Sequence, residues 1–428
     1  MIAYIEPVQQ LSGNILIPAS KSHTIRAIAC AALAHGTSVI INPLVSADAE
    51  AARIAYTAMG ALIIDTEYNG QPALQITGIA GKPAIPATPI NILNSGTTLR
   101  IACASAALAD AAIEFTGDKQ IQRRPMTELL SALNNLGART ESIHNNGCAP
   151  VRITGPLRGG ETSIRCTTSQ FLTALLINCP LAPNDTVITV SELNEKPYVH
   201  ITLQYLTEHA LAYTMNADMT RFHITGRQHY RSMTTTVPGD WSSATFFLCM
   251  GALFDGNLTL TGLDPNDAQG DRAVIHYLQQ LGASVSIDDT GITVHKKNLR
   301  GTTIDMNATP DALPALAVIA TQCSGETHLV NVPQARIKET DRIAVMTAEL
   351  KKMGADIEER TDGLIIRKSV LHGAAVEGHD DHRIIMALTI AGMCAHGQTQ
   401  IHGADAVSVT FPDYFKLVQK AGAKIILQ

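Results

Sequence analysis

Cations and hydroxyls recur at a fixed interval along this chain. Polar loops stand at Ser20-Lys21-Ser22-His23, Asn94-Ser95-Gly96-Thr97, Thr167-Thr168-Ser169-Gln170, Pro238-Gly239-Asp240, Thr309-Pro310-Asp311 and Asp380-Asp381-His382-Arg383; the positions 21, 94, 167, 238, 309 and 380 follow one another at 71 to 73 residues. Each precedes a run that reads as a helix. A second set of loops, Gln122-Arg123-Arg124-Pro125, Glu195-Lys196-Pro197-Tyr198 and Lys338-Glu339-Thr340-Asp341-Arg342, precedes further helices. A helix N-terminus carries free N–H groups and a partial positive charge, so it binds phosphate or carboxylate readily. Lys21, Arg26, Arg100, Arg124, Lys338, Arg342 and Arg383 lie at or just inside such starts. Residues such as Ser20, Asp48 and Asp240 read as ordinary N-caps. A cap does not account for a cation, which the helix dipole disfavours at that end. Together the set points to a small, multiply anionic ligand.

The elements that carry these loops repeat. A helical pattern followed by Gly-Ala recurs at Gly60-Ala61, Gly137-Ala138, Gly282-Ala283, Gly354-Ala355 and Gly422-Ala423, with a degenerate copy at His209-Ala210-Leu211. Glycine after a periodic helix is the expected C-terminal stop, since it accepts the left-handed conformation. A turn residue followed by a strand recurs at the same period, for example Gly36-Thr37-Ser38-Val39 and Gly397-Gln398-Thr399. Six units of about 71 residues, each with two helices and several short strands, account for the whole chain. The first helix of each unit reads as buried: Ile25, Ile28, Ala29, Ala32 and Leu33 share one face, and Leu99 to Leu108 is apolar all round.

Composition narrows the function. The 428 residues are 46% apolar, 4% aromatic and 16% charged, with net charge −6 and no basic run, so nucleic-acid binding is not expected. Eight cysteines without a CxxC pair suggest neither zinc nor a disulfide framework. The start, MIAYIEPVQQ, lacks a basic n-region and an apolar h-region, and no uncharged run reaches membrane-spanning length. A cytoplasmic protein without membrane contact is expected.

Seven motifs carry a likeness. Pro18-Ala19-Ser20-Lys21-Ser22-His23-Thr24-Ile25-Arg26, Asn94-Ser95-Gly96-Thr97-Thr98-Leu99-Arg100, Arg124-Pro125-Met126, Thr168-Ser169-Gln170-Phe171-Leu172, Pro238-Gly239-Asp240-Trp241-Ser242-Ser243-Ala244, Lys338-Glu339-Thr340-Asp341-Arg342 and Asp381-His382-Arg383 resemble, in order and spacing, the 5-enolpyruvylshikimate-3-phosphate synthase family of enolpyruvyl transferases. The resemblance covers essentially the whole chain. It implies a two-domain inside-out α/β barrel of six βαβαββ repeats, three per domain. The domains expected are 20–237, and 1–19 with 238–428, with the active site in the cleft between them. It implies transfer of the enolpyruvyl group of phosphoenolpyruvate to the 5-hydroxyl of shikimate 3-phosphate, a step toward chorismate and the aromatic amino acids, by a monomer without metal or organic cofactor. Lys21, Ser22 and Arg26 are then expected to hold shikimate 3-phosphate, with Lys21 also reaching phosphoenolpyruvate. Thr168 and Ser169 are expected to hold the substrate phosphate, with Gln170 between the two ligands and Tyr198 beside the shikimate ring. Gly96, Arg124, Arg342 and Arg383 are expected to bind phosphoenolpyruvate, and Asn94 and Gln334 to line the substrate site. Asp311 and Lys338 are assigned to the shikimate hydroxyls, with Asp311 as base, Glu339 as acid and Lys338 tuning both.

Four positions depart from the family pattern. Thr168 stands for a Ser and Gln334 for an Asn. Glu195 stands where the family has a Ser against the substrate phosphate; a carboxylate there repels phosphate, so it is expected to turn away, paired with Lys196. Val409 stands for a Lys, which weakens the expected grip on phosphoenolpyruvate unless Lys416 substitutes. The nearest alternative is UDP-N-acetylglucosamine enolpyruvyl transferase, which has Lys-Asn in place of Lys21-Ser22 and a loop Cys where Phe115 to Pro125 has none. A six-repeat DNA clamp needs a basic inner face, which net −6 opposes; an inactive paralogue is the third reading.

Overall fold

The computed structural model describes all 428 residues. Twelve α-helices alternate with short strands. Six follow the polar loops of fixed phase: α1 (Lys21–Leu33), α3 (Gly96–Ala106), α5 (Ser169–Asn178), α7 (Trp241–Leu253), α9 (Leu313–Ala320) and α11 (His382–Cys394). Between them come α2 (Ala47–Ala58), α4 (Thr127–Asn135), α6 (Lys196–Glu208), α8 (Val274–Gln280), α10 (Arg342–Lys352) and α12 (Tyr414–Lys420). The odd-numbered helices are the buried ones, and every residue of α7 and α9 is inside. The even-numbered ones bury one stripe, such as Leu129, Leu130, Ala132 and Leu133 of α4. Each periodicity follows from the sequence: a helix apolar all round must be covered on every side, an amphipathic one on one.

Two compact units result: Met1–Pro18 with Gly239–Gln428, and Ala19–Pro238. In the second, α1 and α5 both pack on α3; in the first, α7, α9 and α11 pack on one another. Around each trio stand three of the six four-stranded sheets. The sheets share one pattern. In one, Gly160–Cys166 pairs in parallel with Thr186–Leu193 (Gly160 opposite Thr186), which pairs antiparallel with Arg221–Ile224, which pairs antiparallel with Tyr213–Met215. Side chains along Gly160–Cys166 alternate inward and outward, as a strand with one covered face requires. Helices inside and sheets outside make each unit an inside-out α/β assembly, and the chain runs βαβαββ through each repeat.

Three strands join distant parts of the chain. Gly13–Leu16 pairs in parallel with Leu258–Thr261, and Thr234–Thr236 with Thr37–Ile41. Ile2–Ile5 lies between Thr399–His402 and Ile425–Leu427, so both chain ends share one sheet. The chain passes between the units at Pro18 and Pro238, where proline cannot extend a ladder because it has no N–H.

Gly60, Gly137, Gly282, Gly354 and Gly422 end their helices at φ between 92° and 113°. The degenerate copy puts Ala210 in the same left-handed region, at φ 56°. A Cβ is strained there, so Ala210→Gly is expected to raise the unfolding free energy by about 0.5–1 kcal/mol, net of glycine's greater freedom in the unfolded chain. Chemical denaturation reads this as a higher midpoint; a lower one contradicts it.

Candidate active site

In the Ala19–Pro238 unit the helix starts are tied to one another. Ser20 caps α1 by accepting from the His23 amide. Lys21 Nζ lies 3.2 Å from Asp48 Oδ2, in the first turn of α2. Asp48 is therefore not the cap of α2; Ser46 is, accepting from the Ala49 amide at 3.3 Å, which leaves the Asp48 carboxylate to pair with Lys21. Asp240 does cap α7, accepting from the Ser242 amide.

Arg26 is 1% exposed. Its Nε donates to Thr202 Oγ1 (2.9 Å), Nη1 to the Ser22 carbonyl (2.9 Å), and Nη2 to Thr173 Oγ1 (3.2 Å) and the Tyr198 carbonyl (3.1 Å). Burial lowers its pKa to about 10, against the opposing pull of neighbours that include Glu195. Arg26 thus ties α1 to α5 and α6 and orders the Ser22 and Tyr198 backbones. Arg100 Nη1 donates to Gln170 Oε1 at 2.5 Å, and its guanidinium stacks over Phe171. Arg124 Nη2 donates to Asn94 Oδ1 at 3.0 Å. Gly96 opens α3 directly against both arginines: a Cβ there would come within 2.5 Å of Arg124 Nη1 and 2.9 Å of Arg100 Nη1. Only glycine leaves room for the two guanidiniums.

At the start of α5 the structure corrects the sequence. Glu195 does not turn away. Its Oε2 accepts from Ser169 Oγ (2.8 Å), the Ser169 amide (3.1 Å) and Thr168 Oγ1 (3.3 Å), and the residue is 1% exposed. Lys196 Nζ donates instead to the Asp218 carbonyl. Buried N–H and O–H groups need an acceptor, and the carboxylate supplies it.

In the other unit three helix starts meet at Arg342, the first residue of α10. The guanidinium is 1% exposed and donates from Nη1 to Asp311 Oδ1 (2.7 Å), from Nη2 to Glu339 Oε2 (2.6 Å) and from Nε to Asp381 Oδ2 (2.8 Å). Burial pushes its pKa down, but the charges of Asp381, Glu339 and Asp311 outweigh that and hold it above the usual arginine value. Arg383 Nη2 reaches Asp311 Oδ2 at 2.9 Å, and Lys338 Nζ is 3.9 Å from Asp311 Oδ1. Three cations therefore face three carboxylates. Asp381 caps α11 by accepting from the Arg383 amide and also accepts from Thr340 Oγ1. Asp381 carries no assigned role in the sequence reading; its signal is an N-cap aspartate two residues before a cation. Gln334 lies nearby in sequence but is 2% exposed, its amide donating to the Asn307 carbonyl. Val409 ends the turn Ala404–Val409. Lys416 is 82% exposed and 3.7 Å from Asp413.

The predicted residues thus fall in two groups: Lys21, Ser22, Arg26, Asn94, Gly96, Arg124, Thr168, Ser169, Gln170 and Tyr198 in one unit, and Asp311, Gln334, Lys338, Glu339, Arg342 and Arg383 in the other. The first offers hydroxyls, helix amides and guanidiniums suited to a phosphate. The second joins carboxylates able to move protons to cations able to hold an anion.

The chain is similar over almost its whole length to known proteins. The family model for EPSP synthase (3-phosphoshikimate 1-carboxyvinyltransferase) matches residues 5–417. A 3-phosphoshikimate 1-carboxyvinyltransferase of Acetivibrio thermocellus is 50% identical over 416 residues, covering 97% of each chain. That of Ruminiclostridium cellulolyticum is 48% identical over 417 residues, covering 97% of this chain and 98% of the other. The solved structure of EPSP synthase from Acinetobacter baumannii matches with a TM-score of 0.83 at 27% identity, over the full length of both chains. No helix is long and apolar enough to cross a membrane.

Proposed function

The chain belongs to the EPSP synthase (3-phosphoshikimate 1-carboxyvinyltransferase) family, and we propose that it transfers the enolpyruvyl group of phosphoenolpyruvate to the 5-hydroxyl of shikimate 3-phosphate, in aromatic amino acid biosynthesis. The observation that carries the mechanism is that Asp311 and Glu339 share one guanidinium, Arg342, at 2.7 and 2.6 Å. Both proton-transfer groups are thereby held in one charge-balanced cluster.

The 5-hydroxyl attacks C2 of phosphoenolpyruvate while C3 gains a proton. The tetrahedral intermediate then loses phosphate as C3 gives the proton up. Asp311 takes the hydroxyl proton. A carboxylate has about four lone-pair sites, so Asp311 can bond both arginines and still accept. Glu339, once it has taken a proton from solvent, gives it to C3 and then takes one back from C3 as phosphate leaves. Arg342, Arg383 and Lys338 stabilise the charge that develops on phosphate and carboxylate. Arg124, beside Gly96, is assigned to phosphoenolpyruvate, and Lys21, Ser22, Arg26, Thr168, Ser169, Gln170 and Tyr198 to shikimate 3-phosphate. Gln334, whose Nε2 donates to the Asn307 carbonyl, and Asn94, whose Oδ1 accepts from Arg124, are assigned to line the substrate site. Free cysteines throughout suit the cytoplasm.

Incubation with both substrates in D2O is expected to place deuterium in the methylene of the product's enolpyruvyl group. An unlabelled product contradicts addition followed by elimination, and no product contradicts the transfer itself.

A further inference from the structure

We infer that Glu195 is a built-in occupant of the substrate-phosphate cradle, which shikimate 3-phosphate must displace in order to bind, an inference that rests on the substrate proposed above. The cradle consists of the Ser169 amide at the start of α5 and the Ser169 and Thr168 hydroxyls. All three donate to one oxygen, Glu195 Oε2. Each O–H and N–H has one proton to give, so the same donors cannot serve a phosphate while Glu195 holds them.

Two features mark this arrangement as more than a helix cap. Glu195 stands at the N-cap of α6, yet its side chain makes no cap bond to α6; it spends its carboxylate on α5. Its backbone is also left-handed, at φ 58° and ψ 42°, a conformation uncommon for a residue with a Cβ. The carboxylate imitates an anion at a helix start and aligns both hydroxyls. Two anions together in this buried spot repel, so an arriving phosphate expels the carboxylate rather than sharing the donors.

The consequence is a specificity effect. An unphosphorylated shikimate leaves Glu195 in place and meets no unsatisfied donors. Shikimate 3-phosphate gains the cradle but must first break the Glu195 contacts. Glu195 therefore narrows the preference for the phosphorylated compound.

The test is calorimetric titration of the intact protein with shikimate 3-phosphate and with shikimate, for wild type, Glu195→Gln and Glu195→Ser. The Gln variant keeps the shape and loses the charge, and the Ser variant removes the group; thermal melting selects those that fold. Both are expected to bind shikimate 3-phosphate at least tenfold more tightly, about 1.4 kcal/mol, with no such gain for shikimate. Unchanged or weaker binding of shikimate 3-phosphate in the folded variants overturns the role of Glu195, and so does an equal gain for shikimate. If wild type binds neither compound, the substrate assignment itself fails, which is a separate outcome.

Discussion

Arg342→Met is expected to lower the unfolding free energy by about 3–5 kcal/mol, the cost of leaving buried carboxylates without their counter-ion, and to abolish turnover. Arg342 is 1% exposed and bonds Asp311, Glu339 and Asp381 at 2.6 to 2.8 Å. Without it, three negative charges face only Lys338 and Arg383. Lysine does not rescue it, because an ammonium is a compact point charge and cannot span three carboxylates as the planar fork does. Denaturation followed by tyrosine and Trp241 fluorescence measures the loss. A midpoint like that of wild type contradicts the electrostatic account of this cluster.

Asp311→Asn and Glu339→Gln are each expected to cut turnover by roughly 10²–10⁴-fold, the usual worth of a positioned acid or base. Affinity is expected to move the other way. The cluster balances Lys338, Arg342 and Arg383 against Asp311, Glu339 and Asp381. Neutralising one carboxylate leaves a net positive charge, which favours anionic phosphoenolpyruvate. A fall in kcat with unchanged or lower KM is the signature. Turnover within threefold of wild type removes that residue from the chemistry.

The sequence disclosed what is local. The Gly-Ala phrase marks helix ends because glycine alone takes φ near 100° without strain, and five of six copies do so. The 71-residue phase of the polar loops marks helix starts because caps and apolar faces are local patterns. Non-local pairing was hidden. Nothing in Gly13–Leu16 announces that it joins Leu258–Thr261 rather than a strand of its own neighbourhood. The cations were legible as a set, but their partners were not, since Asp311 and Asp381 lie 31 and 39 residues from Arg342. Glu195 was misread for a related reason. Repulsion by phosphate predicts a carboxylate turned outward, whereas buried donors on α5 draw it inward.

The central claim is tested most directly by phosphate release and product mass with purified protein. Phosphate is expected only when phosphoenolpyruvate and shikimate 3-phosphate are both present, with a product whose mass is their sum less phosphate. Release with UDP-N-acetylglucosamine in place of shikimate 3-phosphate, or no release with either acceptor, contradicts the account.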